Sequence, residues 1–302
     1  MKKGWTVSKR VSLGIILITL IGLLISSALL IKKAKTPMVS FGLLSDIHYA
    51  DREPAGDRIY RQSKAKVGEA IAVMNQEKVD FVIELGDFKD QDIVPDEKKT
   101  LGYLADIESV FHKFNGPTYH VLGNHDMDGI SKSQFLSEVV NTGIAPDKSY
   151  YSFIQKGIHF VVLDGNFTQT GADYDHGTYK LEAPWIPQKE MDWLKEDLKS
   201  DQLPVIVFSH QLIADSKGME RSVRNAAQVR KILENSGKVL CVFQGHINKE
   251  KYELINHIHY YSVIAVVNGE GPESNSYMIV DVSKKGKIRV HGYRRASDQK
   301  FF

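Results

Sequence analysis

A chain of 302 residues with 42% hydrophobic content can bury one large core, and no internal repeat or low-complexity tract divides it. Its single cysteine, Cys241, excludes an intrachain disulfide. Seven basic residues precede the first acid, Asp46, leaving a net −5 on the remainder of a chain whose formal charge is +2; an acidic globule lacks the footprint of a duplex nucleic-acid binder.

Val11 to Ile31 is an uncharged apolar run of 21 residues between basic clusters. As a helix it spans about 31 Å, which matches a bilayer core. We read it as a single-pass membrane anchor. A cleaved signal peptide is the competing reading: its apolar region would be shorter, about 7 to 15 residues, but Ser26-Ser27-Ala28 offers small residues that a peptidase uses. Four positive residues before the run and three after it put the tail in the cytoplasm and the domain outside. The expected division is a tail and anchor over residues 1–36 and one domain over 37–302.

Beyond this point apolar runs alternate with helical periodicity. Val39 to Leu44 reads as a strand. Asp57 is placed as the cap of a helix whose apolar positions Val67, Ala70, Ile71 and Met74 keep the helical rhythm up to Asn75. The strand from Phe81 follows, then a helix over Glu97 to Phe114 with Leu104, Ile107, Phe111 and Phe114 on one stripe, then a strand over Pro117 to Leu122. Strand and helix in alternation predict an α/β fold with crossover helices covering the sheet. From Tyr150 a hairpin turns at Lys156-Gly157, and the polar, aromatic stretch over 164–187 is long enough to suggest function. Helices through Met191, Leu194 and Leu198 and from about Ser222 to Asn235 lead to strands at Pro204 to Phe208 and Val239 to Gln244. The end is β-rich, so the architecture expected is two mixed sheets packed face to face with helices outside.

The apolar runs end alike. They deliver Ser45-Asp46-Ile47-His48, Gly86-Asp87-Phe88-Lys89-Asp90, Gly123-Asn124-His125-Asp126, Ser209-His210 and Gly245-His246-Ile247-Asn248. In open α/β sheets ligands bind beyond the carboxyl ends of the strands. Taken singly, a His or Asp after an apolar run is more often a helix cap or a turn residue. Five such tips together are not readily supplied by chance. Oxygen and imidazole donors without thiolate suit Mn, Fe or Zn in a two-metal hydrolytic site rather than a structural zinc.

With Asp46-x-His48, Gly86-Asp87-x-x-Asp90, Gly123-Asn124-His125-Asp126, His210 and Gly245-His246 in that order, the chain resembles the calcineurin-like metallophosphoesterases from about residue 40 to 280. The resemblance implies a four-layer α/β/β/α sandwich and two divalent metal ions, one held by Asp46, His48 and Asp87 and a second by Asp87, Asn124, His210 and His246. It implies that a metal-bridging hydroxide hydrolyses a phosphate ester or phosphoanhydride, that His125 faces the substrate and that Asp126 orients His125. Asp90 is expected to fix its loop by hydrogen bonds. The family pattern Gly-His-x-His departs here at Asn248, a neutral and weaker donor, so the first ion is expected to be held less tightly, with Mn the metal favoured. Asp46-Ile47-His48-Tyr49-Ala50-Asp51 with Tyr60-Arg61-x-Ser63 further resembles the manganese-dependent ADP-ribose/CDP-alcohol diphosphatases.

Arg61 is a candidate for a second phosphate against the plainer reading of an exposed helix arginine. His176, in the polar loop, and Asn275, at the end of Gly271-Pro272-Glu273-Ser274, are further candidate substrate contacts. Trp185, Tyr174 and Tyr179 are candidates to stack a base or to pack a lid. His120 is expected to be a hydrogen-bonded core residue and His112 to be solvated. The function expected is a membrane-anchored phosphohydrolase of a phosphate-bearing small molecule, with no obligatory protein partner. A catalytically silent binding relative and a lipid-headgroup hydrolase are the alternatives.

Overall fold

The computed structural model describes residues 38–179, 184–214 and 221–302. These all fall within one compact unit, Met38–Phe302. The tail and the apolar run over 11–31 lie outside the described residues, and among the described residues no helix is long and apolar enough to cross a membrane.

Twelve strands form two mixed sheets of six. The first has the order β12-β11-β10-β1-β2-β3. Its members are β1 (Val39–Leu44), β2 (Phe81–Glu84), β3 (Thr118–His120), β10 (Ser276–Val282), β11 (Ile288–Arg294) and β12 (Gln299–Phe301). β1, β2 and β3 run parallel, while β10 joins β1 antiparallel and β11 and β12 continue as antiparallel hairpins. The second sheet has the order β4-β5-β6-β7-β9-β8. It comprises β4 (Tyr151–Gln155), β5 (Ile158–Val162), β6 (Val205–Ser209), β7 (Val239–Gln244), β8 (Lys251–Ile255) and β9 (Ile258–Ser262). There the central β5, β6, β7 and β9 are parallel, and β4 and β8 close the edges antiparallel.

The period-two alternation of these strands decides the layering. Val39, Phe41 and Leu43 meet Phe160, Phe208 and Phe243 of the opposite sheet in the central core. Phe41 stacks on Phe81 and stands edge-on to Phe160, Phe208 and Phe243, the offset and T-shaped contacts aromatic rings prefer. The alternate residues face outward. On the first sheet they receive α1 (Ser63–Glu77), α2 (Glu97–Phe111) and α3 (Lys132–Glu138). On the second, Val161, Val207 and Val242 receive α4 (Gln188–Asp197) and α5 (Ala226–Ser236). Helix, sheet, sheet, helix is the four-layer arrangement predicted.

Local boundaries differ in instructive ways. Asp57 is exposed and caps nothing; a 3-10 turn over Tyr60–Gln62 intervenes and α1 begins at Ser63 with Gln62 as its cap. Asp96 does cap α2, accepting from the Lys99 N–H at 2.9 Å. α3 has a capping box, with Gln134 N–H on Ser131 Oγ and Ser131 N–H on Gln134 Oε1. His257 sits in the hairpin turn between β8 and β9 at φ +68°.

Candidate metal centre

The parallel strands β1, β2, β3, β6 and β7 all point their carboxyl ends at one rim, where the five motifs begin. The turns approach so closely that side chains are excluded between them. A Cβ on Gly86 would lie 2.5 Å from the Gly123 nitrogen and 2.8 Å from His210 Nδ1, at a φ of +91° that favours glycine in any case. Strain concentrates at the same rim. Asp46, His48, Asp87, His246 and Asn248 have φ values of +52°, +46°, +57°, +69° and +61°. Non-glycine residues in this region cost about 1–3 kcal/mol each, and such outliers cluster where a surrounding structure holds a site.

Asp87 is the hub. Its Oδ2 lies 3.4 Å from His48 Nε2 and 3.2 Å from His210 Nε2. Its Oδ1 accepts the backbone N–H of His125 at 2.8 Å. The far nitrogens of both histidines are already engaged. His210 Nδ1–H donates to the Leu85 carbonyl at 2.7 Å, and His48 Nδ1 meets Asp90 Oδ2 at 3.2 Å. These contacts orient the rings so that each Nε2 faces Asp87, the arrangement of metal-ligating imidazoles. His246 Nδ1 completes this side, 3.1 Å from His210 Nε2.

Of three close groups of potential ligand atoms two share Asp87, Asp46 with His48 and Asp87, and Asp87 with His210 and His246, and the third is His48 with Asp90 and His125; within each the atoms lie within 4.8 Å of one another. Asn124 and Asn248 sit on the adjoining turns. The residues fit cations on a specific test. Buried polar atoms are nearly always hydrogen-bonded, yet Asp46 Oδ1, His48 Nε2, Asn124 Oδ1 and Asn248 Oδ1 are buried with no hydrogen-bond partner among the described residues. Each belongs to a residue that the family resemblance implies for a metal site.

The electrostatics agree. His246 is held well below its ordinary pKa by burial and by the charge on His210. His210 is pushed up to about 10, since Asp87 outweighs the burial that opposes its charge. One proton is thus held among these three groups, and a cation binding there would displace it.

His125 stands beside this cluster, its ring edge-on to His48 at 4.9 Å. Its partner is Asp128, whose Oδ2 lies 2.6 Å from His125 Nδ1. The expectation that Asp126 orients His125 is therefore corrected. Asp126 is turned inward and accepts the backbone N–H groups of Gly123, Asp87, Phe88 and Lys89, so it clamps the two turns together. Burial would lower the His125 pKa, but Asp87, the Asp128 hydrogen bond and Asp90 raise it to about 9. Tyr179, at 5.4 Å between ring centroids, covers its other side. Asp90 holds His48 Nδ1 and accepts the Gln91 N–H; its own pKa falls to about 2, burial being outweighed by His48 and His125.

The candidate substrate contacts fare differently. Arg61 is exposed and tied to Asp51 at 2.5 Å and Glu53 at 2.7 Å. His176 is exposed and paired with Asp175 and Glu97. Asn275 is fully buried; its amide donates to the Lys66 carbonyl and to Glu69, and its oxygen accepts the Ser276 N–H, which leaves it a structural role. Tyr174 packs in the outer core, and Trp185 bridges to Asn166 and Phe167. Two arginines that periodicity could not single out do reach the rim. Arg52 and Arg58 lie 3.7 Å from opposite oxygens of Asp90. They sit in an irregular turn, where only their proximity in sequence to Asp46-x-His48 hinted at them.

Comparison with known proteins now bears on this geometry. A rice protein called manganese-dependent ADP-ribose/CDP-alcohol diphosphatase is 33% identical over 47% of this chain, and the match spans 46% of the rice protein, about half its length. The Danio rerio protein of the same name is 30% identical over 70% of this chain and 81% of its own. Among solved structures, a dimetal phosphatase from Danio rerio superposes with a TM-score of 0.75 at 21% identity, over 88% of this chain and 99% of that one, a likeness of fold. The profile of the calcineurin-like phosphoesterases matches residues 39–250. With its rim of converging carboxylate and imidazole donors at the ends of two stacked sheets, the chain belongs to the calcineurin-like phosphoesterase family.

Proposed function

We propose that this chain hydrolyses the phosphoanhydride or phosphate ester of a small molecule at a centre of two divalent cations, manganese foremost. The observation that carries this reading is Asp87 Oδ2, set between His48 Nε2 and His210 Nε2. A carboxylate in that place would offset the repulsion of two adjacent dications. When bound, the cations supply Lewis acidity and lower the pKa of water at neutral pH. The chain's own groups do the rest. Asp46 and His48, with Asn248, would hold one position, and Asn124, His210 and His246 the other. His125, held through Nδ1 by Asp128 Oδ2 at 2.6 Å, is placed to carry the proton that a departing oxygen needs.

The named relatives act, by their names, on ADP-ribose and CDP-alcohols. A diphosphate with a nucleotide arm is accordingly the substrate class we favour. The test is hydrolysis of ADP-ribose and a CDP-alcohol by the full-length chain in detergent, stripped of metal and then given Mn, with products separated by chromatography. Product formation by wild type and its loss in Asp87→Asn is the expected result; no hydrolysis of either compound or of an aryl phosphate supports the silent binding relative instead.

A lipid-headgroup substrate is the second reading, favoured by Ile93 and Val94, which are 79% and 77% exposed on the loop that follows Asp90. Faster turnover on vesicles than on soluble nucleotides would select it. We also propose that residues 11–31 form a single-pass anchor with the domain over 37–302 outside the cytoplasm. Cleavage of the domain by protease added to intact cells would support that topology, and its protection would overturn it.

A further inference from the structure

The rim poses a charge problem for a diphosphate. One phosphate can sit against the cations, but the other carries its own charge and needs a donor from the protein. Arg61, the sequence candidate, is spent on Asp51 and Glu53. Arg52 donates Nη1 to the Gln91 carbonyl at 2.9 Å and lies over the Tyr60 ring at 4.5 Å. Arg58 differs. Among the described residues the one polar contact of its guanidinium is Asp90 Oδ2, at 3.7 Å, beyond hydrogen-bond range.

Arg58 is nevertheless held firmly. Its backbone closes a turn with Ala55 and bridges to Asn268, and the next residue, Ile59, donates to the Val267 carbonyl. Val267 in turn donates to the carbonyl of Asp46. Behind this segment the buried Lys66 ammonium donates to the carbonyls of Val266, Asn268 and Gly269. A fixed backbone, a side chain 28% exposed and a guanidinium with open donors beside the donor sets describe a preorganised anion contact.

Building on the hydrolase reading, we infer that Arg58 is the specificity-determining residue for diphosphates: its guanidinium binds the phosphate that is not attacked. The planar fork matches a phosphate in bidentate fashion, which an ammonium cannot do. Arg52, braced on Gln91 and Tyr60, stands behind it and shares Asp90, so that Asp90 aims both side chains and His48 together.

The test uses full-length chain in detergent, loaded with Mn, as wild type, Arg58→Ala and Arg58→Lys. The first readout is the ratio of kcat/KM for ADP-ribose to that for an aryl phosphate monoester. The ratio is expected to fall about 10- to 100-fold in Arg58→Ala, through KM, with little recovery in Arg58→Lys. The second readout is calorimetric binding of methylenediphosphonate against orthophosphate, which needs no turnover; the preference of wild type for the diphosphonate is expected to disappear in both variants. An unchanged ratio and an unchanged preference would overturn the inference, as would equal losses on both substrates, which would make Arg58 a positioning residue for the whole centre. Should wild type hydrolyse neither substrate yet prefer the diphosphonate through Arg58, the hydrolase reading fails and the anion contact stands.

Discussion

The backbone N–H of His246 donates to Asp46 Oδ2 at 3.0 Å, joining residues 200 apart in sequence and the tips of two different sheets. The other oxygen, Asp46 Oδ1, is buried with no hydrogen-bond partner among the described residues. The two halves of the centre are thus locked together by protein contacts while the donors between them stay unsatisfied. Cations that bind these donors bind only the folded state. Mn at about 100 times its dissociation constant is expected to add about 2.7 kcal/mol of stability, and chelation to remove it. Melting curves with EDTA and with Mn test this in wild type and Asp87→Asn. Equal shifts in both proteins would mean that Asp87 is not the shared donor.

Asp126 and Asp128 are two residues apart and separate cleanly by function. Asp128→Asn takes the anionic partner from His125 and should lower kcat about 100-fold, the scale of a positioned proton donor, with melting temperature and metal content held. Asp126→Asn should do the reverse. It puts an amide NH2 where one acceptor oxygen faces the Gly123, Asp87, Phe88 and Lys89 N–H groups, so stability falls first and activity only with it. Melting temperature set against kcat for the two variants reads the distinction; a catalytic loss in Asp126→Asn at unchanged stability would reverse the assignment.

The contrast shows where sequence reasoning stopped. Strand tips are legible because a β-branched or aromatic run ending at Gly86, Gly123 or Gly245 fixes both the direction of the strand and the turn that follows. Which carboxylate in Asp126-Met127-Asp128 faces the imidazole depends on a single 3-10 turn over Asn124–Met127, and periodicity carries no information at that scale. Arg58 escaped notice for the same reason, lying in a turn held by Asn268 from the far end of the chain. The start of α1 was misplaced because Asp57 has the chemistry of a cap but not its position. The missed helix α3 did carry a signal, the Ser131 and Gln134 capping box.

Asn248 tests the departure from the family pattern. Its Oδ1 is buried and partnerless, and its φ of +61° lies close to the +69° of His246, so an imidazole can be tolerated on that backbone. Asn248→His replaces a neutral amide oxygen with a stronger nitrogen donor. The Mn concentration for half-maximal activity is expected to fall about tenfold, the smaller end of the change seen when one group supporting a metal site is altered. Unchanged metal stoichiometry and turnover would remove Asn248 from the donor set.

His120 supplies a stability prediction independent of the metal. Its Nδ1 lies 3.0 Å from Glu84 and its Nε2 3.2 Å from Glu108, in a buried triad between the rings of Phe88 and Phe111. Burial disfavours its charge, but Glu108 and Glu84 outweigh it and raise the pKa to about 10. Folding therefore takes up a proton between the unfolded value of about 6.5 and 10, so in that window stability falls as pH rises. The charge contribution is complete below about pH 6.5 and gone above 10. His120→Gln removes the cation from between Glu108, whose pKa it helps to lower, and Glu84, whose pKa burial raises, and should cost up to about 3–5 kcal/mol at pH 6. Urea unfolding of wild type and variant at a series of pH values, with EDTA present, should show the gap narrowing from pH 6.5 toward 10; a gap that widens with pH would mean that His120 is neutral in the native protein.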